Sequence, residues 1–376
     1  MNSPYENLSP RNFWRSGVSE SHPLTVEDFY RKKFSIDATD KIATAGSCFA
    51  QHVSNYLQKN GFSVLDVEPP PAVLSDDVAR SFGYKIYSAR YGNIYTVRQL
   101  LQLMRDAQSG SVDAADVWSK DGRYFDALRP NIEPNGFDSV EEALALRTQH
   151  LEKVSGLFRK TNVFIFTLGL TEAWIDKRSG RVFPTAPGTI AGEYNPDIHA
   201  FHNFGFNEIH DDFAEFYDLV RRRNPNIKII LTVSPVPLTA TASDDHVLLA
   251  TTYSKSVLRS VAGALAQEYD NIDYFPSYEM IASPWSKGFF YDANMRSVNP
   301  GGVASVMRVF FQQHGIGQNA SEAGLSESKS PREVRREANR AKKMSRKERR
   351  NRRKSDEVSD EDAVCEDFLL EAFAPQ

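Results

Sequence analysis

Cysteine is nearly missing from this sequence: Cys48 and Cys365 are the only two in 376 residues. Two thiols cannot build a multi-bridge secreted scaffold or a Cys-rich zinc site. Histidine is also sparse, and His52, His150, His199, His202, His210 and His246 lack metal-ligand spacing. The expectation is therefore a protein with no metal and no cofactor. Long apolar runs are missing too. The longest lie near 163–170 and 227–233, the length of a buried strand and far short of the ~20 residues a membrane span needs. Residues 1–24 contain Pro4, Pro10 and Pro23 and no apolar stretch resembling an export signal. These absences predict a cytoplasmic protein without a membrane span, in which Cys48 stays a thiol.

Hydrophobic residues make up 41% and charged residues 25%, enough to bury a sizeable core and to exclude disorder of the whole chain. The net charge of −4 conceals an asymmetry. Residues 331–354 carry thirteen Lys/Arg against three Glu, whereas residues 355–376 carry eight Asp/Glu and no Lys or Arg. Composition thus divides the chain into an irregular leader (1–35), a globular body (36–315) and a charged tail (316–376), basic over 331–354 and acidic over 355–376. The tail reads either as an arm for nucleic acid or an anionic surface, or as a disordered segment whose halves neutralise each other. No aromatics interleave the basic run, which favours the second reading.

Within the body the hydrophobic period alternates. Strand patterns fall at 41–45, 62–67, 163–168, 227–233 and 272–275. Helical patterns fall at 51–60, 97–105, 139–159, 207–223, 254–269 and 299–313. Ser139 reads as a cap ahead of Glu141 and Glu142, and Asn299 as a cap ahead of Pro300. Strand–helix alternation predicts an α/β fold with a mostly parallel sheet, whose working residues gather where strands end.

Five such ends carry unusual residues. Gly46-Ser47-Cys48 places two nucleophile-capable side chains between a strand and a helix N-terminus, whose N–H groups favour an oxyanion or a thiolate. The same residues also suit a small buried hydrophobe at Cys48 and a helix cap at Ser47. Gly92-Asn93 offers a backbone N–H and an amide, or a simple turn. Thr171-Glu172-Ala173-Trp174 puts a carboxylate beside an aromatic, able to orient a histidine or bind a sugar hydroxyl; Glu172 equally suits a helix start and Trp174 the core. Ser234-Pro235-Val236-Pro237 is a stiff strand exit leading to His246. Asp292 lies in an aromatic-rich stretch before the last helix.

The run Gly46-Ser47-Cys48-Phe49-Ala50 spells the signature of the GSCFA family, a branch related to the SGNH (GDSL-like) hydrolases. The segments 91–95, 167–174, 232–237 and Tyr253-Ser254-Lys255-Ser256 resemble that family in the same order. The resemblance covers residues 10–312. It implies a three-layer α/β/α sandwich with a flavodoxin-like sheet, and an acyl esterase or acyltransferase. The substrate it implies is an ester or thioester, such as that of a carbohydrate. Laid without a gap on Gly-Asp-Ser-Leu, the motif puts Cys48 in the nucleophile's place and Ser47 in that of the aspartate. The superfamily's Asp-x-x-His pair is missing near Asp292, so His246 and then His202 are the candidate bases. Gly92 and Asn93 are the oxyanion candidates. Thr171, Glu172, Asp292 and Trp174 are candidates for binding substrate or orienting the base, and Trp285 and Tyr291 for stacking on a sugar. Loss of the histidine pair supports a rival reading, a catalytically weakened SGNH fold used for binding or assembly.

Overall fold

The computed structural model describes residues 3–314 and 366–374. The basic segment 331–354 and the acidic stretch up to residue 365 lie outside the described residues, and with them both readings of the tail.

Lys41–Gly46 forms β1, whose last five residues are all buried, and Cys48–Lys59 forms α1 directly behind it. Ser63–Val64 (β2) follows, then two helices, Asp76–Ser81 (α2) and Val97–Ser109 (α3). A hairpin, Val117–Lys120 (β3) with Arg123–Asp126 (β4), leads into Val140–Lys160 (α4). As its position suggests, the Ser139 hydroxyl caps α4 by accepting the Glu142 N–H at 3.1 Å. Val163–Leu168 (β5) is buried at every position. Next come Glu172–Asp176 (β6), Val182–Phe183 (β7) and His199–Asn203 (β8), then Phe206–Arg221 (α5) and Lys228–Val233 (β9). Val247–Glu268 (α6), Ile272–Tyr274 (β10), Ser277–Ala282 (α7) and Pro300–His314 (α8) complete the body.

The main sheet has the order β2-β1-β5-β9-β10, and all its pairings are parallel. Numbered along the chain, its five strands lie 2-1-3-4-5, the flavodoxin-like arrangement. The order reverses between β1 and β5, and in such sheets the crevice at the reversal is where ligands bind.

Alternation along the strands sends side chains to two cores. Ala43, Ala45, Phe164, Phe166, Leu168, Ile229 and Leu231 face α3–α6 on one side of the sheet. Ile42, Val163, Ile165 and Ile230 face α1, α7 and α8 on the other. Helices on both faces of a parallel sheet make the α/β/α sandwich, and explain why β5 and β9 read as unbroken apolar runs.

The leader is irregular but packed. Tyr30 is buried and donates to Asp273 Oδ2 at 2.7 Å, and Phe29 stacks on Trp285 with ring centroids 5.4 Å apart. Trp285 is thus an anchor for the leader, not an open sugar platform. A small antiparallel sheet, β7-β6-β8, is inserted after β5. Glu172 consequently begins a strand, whereas one reading of the sequence had it begin a helix.

Candidate active site

The turn after β1 is fixed by backbone geometry. Gly46 has φ of +137°, and a Cβ there would come 2.4 Å from the Thr167 carbonyl oxygen. Only glycine fits this approach of β1 to β5. The Ser47 N–H donates to the same carbonyl at 3.2 Å. Cys48 then opens α1, so both side chains stand at the C-terminal edge of the sheet, between its two reversing strands.

Ser47 and Cys48 are 5% and 6% exposed, and both line one open cavity of about 10 Å³. Tyr95, Gly169, Ser234, Val236 and Lys255 complete most of its wall. Ser47 occupies the N-cap position, yet its hydroxyl makes no capping bond. Its Oγ is buried and has no hydrogen-bond partner among the described residues, so it does not serve as the side-chain cap. Cys48 Sγ lies 3.9 Å from the Tyr95 hydroxyl. Cys48 is disulfide-bonded, which corrects the expectation of a thiol; the chain's other cysteine, Cys365, lies outside the described residues.

One lysine, Lys255, lines this wall. It sits on the buried stripe of α6 with Ala250, Ser254 and Leu258, is 1% exposed, and donates from Nζ to the Gly169 carbonyl oxygen at 2.7 Å. Its neighbour Ser254 accepts the Thr171 N–H at 3.1 Å. Two consecutive residues of α6 therefore clip the loop that follows β5. Site reasoning from the sequence passed over Lys255, although a lysine on an apolar helical stripe is itself a signal.

The other expected residues are distributed around this centre. Asn93 is buried; its Oδ1 accepts from the Tyr87 hydroxyl at 2.6 Å and from Gln51 Nε2 at 3.3 Å. Tyr87 OH also lies 3.0 Å from the Ser47 carbonyl oxygen, so this network braces the turn. Asn93 lines a second, neighbouring cavity. Gly92, beside it, has φ of +67°. Thr171 is wholly buried. Glu172 is half-buried and accepts from Thr241 Oγ1 at 2.7 Å, and burial pushes its carboxyl above the usual range. Trp174 lies in β6 against Tyr194 and Phe201. Asp292 is exposed, and Tyr291 donates to the Pro235 carbonyl at 2.6 Å.

The cavity wall contains no histidine among the described residues. His246 is exposed at the start of α6, with Nδ1 accepting the Leu248 N–H at 3.1 Å. His202 is half-buried in β8, with Nε2 2.8 Å from Glu208 Oε1. The stiff exit 234–237 does line the cavity, but it does not bring His246 into the wall. Asn299, directly before α8, is a helix cap as expected: its Oδ1 accepts the Gly302 N–H at 2.9 Å.

On the wall of the second cavity, His150 is paired with a carboxylate. His150 Nδ1 lies 2.7 Å from Glu68 Oε2, and His150 Nε2 is buried with no hydrogen-bond partner among the described residues. Burial, then the nearby Arg129, lowers the imidazole to about 4. Burial alone would raise the Glu68 carboxyl, but its partners together, His150 first and then Arg129 and the Arg90 N–H, overcome that and hold it at about 2. At neutral pH a neutral imidazole therefore donates to a carboxylate. The cavity measures about 20 Å³, and its wall carries no serine or cysteine among the described residues. The wall includes His150 and Arg147, whose Nε2 and Nε have no hydrogen-bond partner among the described residues.

Fold and turn together define a flavodoxin-like α/β protein whose Gly46-Ser47-Cys48 turn lies at the switch point. The GSCFA family model matches residues 41–310, and the chain belongs to the GSCFA family. Among solved structures it is similar to a family 3 carbohydrate esterase from Talaromyces cellulolyticus, at 11% identity over 72% of this chain and 94% of that one, with a TM-score of 0.35. It is also similar to a Clostridium thermocellum family 3 carbohydrate esterase, at 8% identity over 74% and 99% of the two chains, with a TM-score of 0.31. No curated protein matches it. Among the described residues, no helix is long and apolar enough to cross a membrane.

Proposed function

We propose that this chain is an acyl esterase or acyltransferase of the SGNH type that works through a covalent acyl intermediate on Cys48, with Ser47 as the alternative nucleophile. One observation carries this reading. Two nucleophile-capable side chains share an open cavity at the switch point, one of them at the first residue of a helix and the other with an unpartnered hydroxyl.

In the reduced protein the Cys48 sulfur attacks the carbonyl carbon of an ester or thioester. The carbon–sulfur bond forms, the alcohol or thiol leaves with a proton, and water or a sugar hydroxyl then takes the acyl group. The N–H groups of the first turn of α1 receive the developing oxyanion. Gly92 and Asn93 contribute by holding the turn in register. The narrow space beside Cys48 supports a short acyl group, acetyl being the simplest, and Trp174, Glu172 and Thr171 on the following loop and strand support a carbohydrate alcohol. His202 and His246, the imidazole candidates of the sequence, stand outside the cavity wall, so this reading is without an assigned base.

The test is p-nitrophenyl acetate turnover by reduced protein, with Cys48→Ala and Ser47→Ala assayed separately. Loss in Cys48→Ala supports the assignment, loss in Ser47→Ala alone transfers it to the hydroxyl, and full activity in both removes the site.

The absence of a histidine from the described cavity wall favours a second reading, a binding or assembly protein that keeps the SGNH architecture without the chemistry. Stoichiometric labelling by iodoacetamide or a fluorophosphonate at residue 47 or 48 speaks for the enzyme, and its absence for the binding protein.

A further inference from the structure

We infer that Lys255 is a catalytic residue of this site, the group that takes the proton from Cys48 and returns it to the leaving group. The inference rests on the acyl-transfer reading above and supplies the base which that reading lacks. Three observations converge on it. Lys255 lines the same cavity as Cys48 and Ser47, whose described wall has no imidazole. Its side chain is 1% exposed, so its amine is held inside the fold and not spread in solvent. Its Nζ is fixed at 2.7 Å from the Gly169 carbonyl, and Gly169 is the residue against which Ser47 packs, a Cβ on Gly169 falling 2.9 Å from the Ser47 Cβ. One hydrogen bond therefore ties the amine to the backbone that flanks the nucleophile. Lysine serves as general base in hydrolases built on a Ser–Lys pair, and a thiol is easier to deprotonate than an alcohol.

The proton inventory closes with this residue alone. In the reduced protein the Cys48 thiol gives its proton to the neutral Nζ, and the thiolate attacks the ester carbonyl. The carbon–oxygen bond to the alcohol breaks, and the departing alkoxide takes a proton from the ammonium, leaving a thioester on Cys48 and a neutral amine. Water then gives a proton to Nζ while its oxygen attacks the thioester. The sulfur leaves and recovers the proton from Nζ. The only co-reactant is a thiol or phosphine reductant that frees Cys48 beforehand.

Two variants test this in the full chain, on a Cys365→Ser background so that one thiol reports. Lys255→Met keeps the length and apolar packing of the side chain. Lys255→Arg places a fixed charge there, with no proton that can be exchanged near neutral pH. Two quantities are read: the pH profile of iodoacetamide alkylation at Cys48, and kcat/KM on p-nitrophenyl acetate. The expected result for Lys255→Met is an alkylation midpoint raised by a unit or more and a loss of about 10²–10⁴ in kcat/KM. Lys255→Arg keeps the low midpoint and still loses turnover. A folded Lys255→Met protein with an unchanged alkylation midpoint overturns the inference. If that variant does not fold, Lys255→Arg decides alone: retained turnover overturns, and lost turnover with an unchanged midpoint supports. The two readings fail separately. Turnover that needs Cys48 but ignores Lys255 sinks the lysine and leaves the acyl chemistry. A midpoint that responds to Lys255 without turnover in the parent keeps the Lys255–Cys48 coupling and sinks the acyl chemistry.

Discussion

Gly169 and Ser47 meet so closely that neither backbone leaves room for a side chain on the glycine: a Cβ at residue 169 would lie 2.9 Å from the Ser47 Cβ and 3.0 Å from the Tyr95 carbonyl oxygen. The contact joins the loop after β5 to the turn after β1, the two strands on either side of the switch point.

Gly169→Ala forces one of these two segments to move. Overpacking of this kind costs about 1–3 kcal/mol, and the displaced turn carries Ser47 and Cys48 with it. The expected outcome is a lower urea midpoint together with a changed rate of Cys48 alkylation in the reduced protein. A variant with wild-type stability and an unchanged alkylation rate would show that the turn has slack.

A buried charge network gives a second prediction. Asp126 is 2% exposed; it accepts from Arg129 Nε at 2.7 Å and from Arg147 Nη1 at 3.4 Å. Burial alone would raise its carboxyl, but Arg147 and then Arg129 overcome that and hold it near 2. Asp126→Ala leaves the buried Arg129 guanidinium without its carboxylate, while Arg147 keeps Asp106 at 2.8 Å, and is expected to cost about 3–5 kcal/mol. Equilibrium urea unfolding measures this as a fall in midpoint with unchanged slope. A loss under 1 kcal/mol would mean that solvent reaches the arginines.

Acid sensitivity follows from two buried imidazoles. Burial, then Arg129, lowers His150 to about 4, and burial, then Lys32, lowers His314 to about 4, both from an ordinary 6.5. A folded-state value below the unfolded one means that the unfolded chain binds the proton more readily. The stability is therefore complete above pH 6.5 and is lost as pH falls toward 4. Each imidazole contributes at most about 3 kcal/mol to this loss. Glu68 and Asp126, held near 2, extend it below pH 4. Unfolding free energies at pH 7.5 and 4.5 should differ by a few kcal/mol, and His150→Gln should flatten the difference. A flat profile in the parent protein would contradict the burial of both rings.

How much of this was legible beforehand depended on the kind of signal. β5 was readable to the residue, because a central parallel strand buried on both faces is apolar throughout. The caps at Ser139 and Asn299 were readable because their chemistry is local. The hairpin β3–β4 escaped, although Asp121-Gly122 has φ of +51° and +74° and is a strong turn signal. The sheet β6–β8 escaped because its half-buried strands mix polar and aromatic residues without clean alternation. The turn at 46–48 was found because glycine and two nucleophile-capable neighbours are adjacent in sequence. Which residues face that turn from 47 to 208 positions away is a matter of packing, and there Lys255, not His246, enters the wall.

The central claim is that the residue at the start of α1 accepts an acyl group. Mass spectrometry of reduced protein quenched during p-nitrophenyl acetate turnover tests it most directly. A 42-dalton adduct on the peptide holding Ser47 and Cys48, absent from Cys48→Ala and labile to hydroxylamine, is the predicted result. Steady turnover with no adduct on that peptide, or with the adduct on another segment, would contradict it.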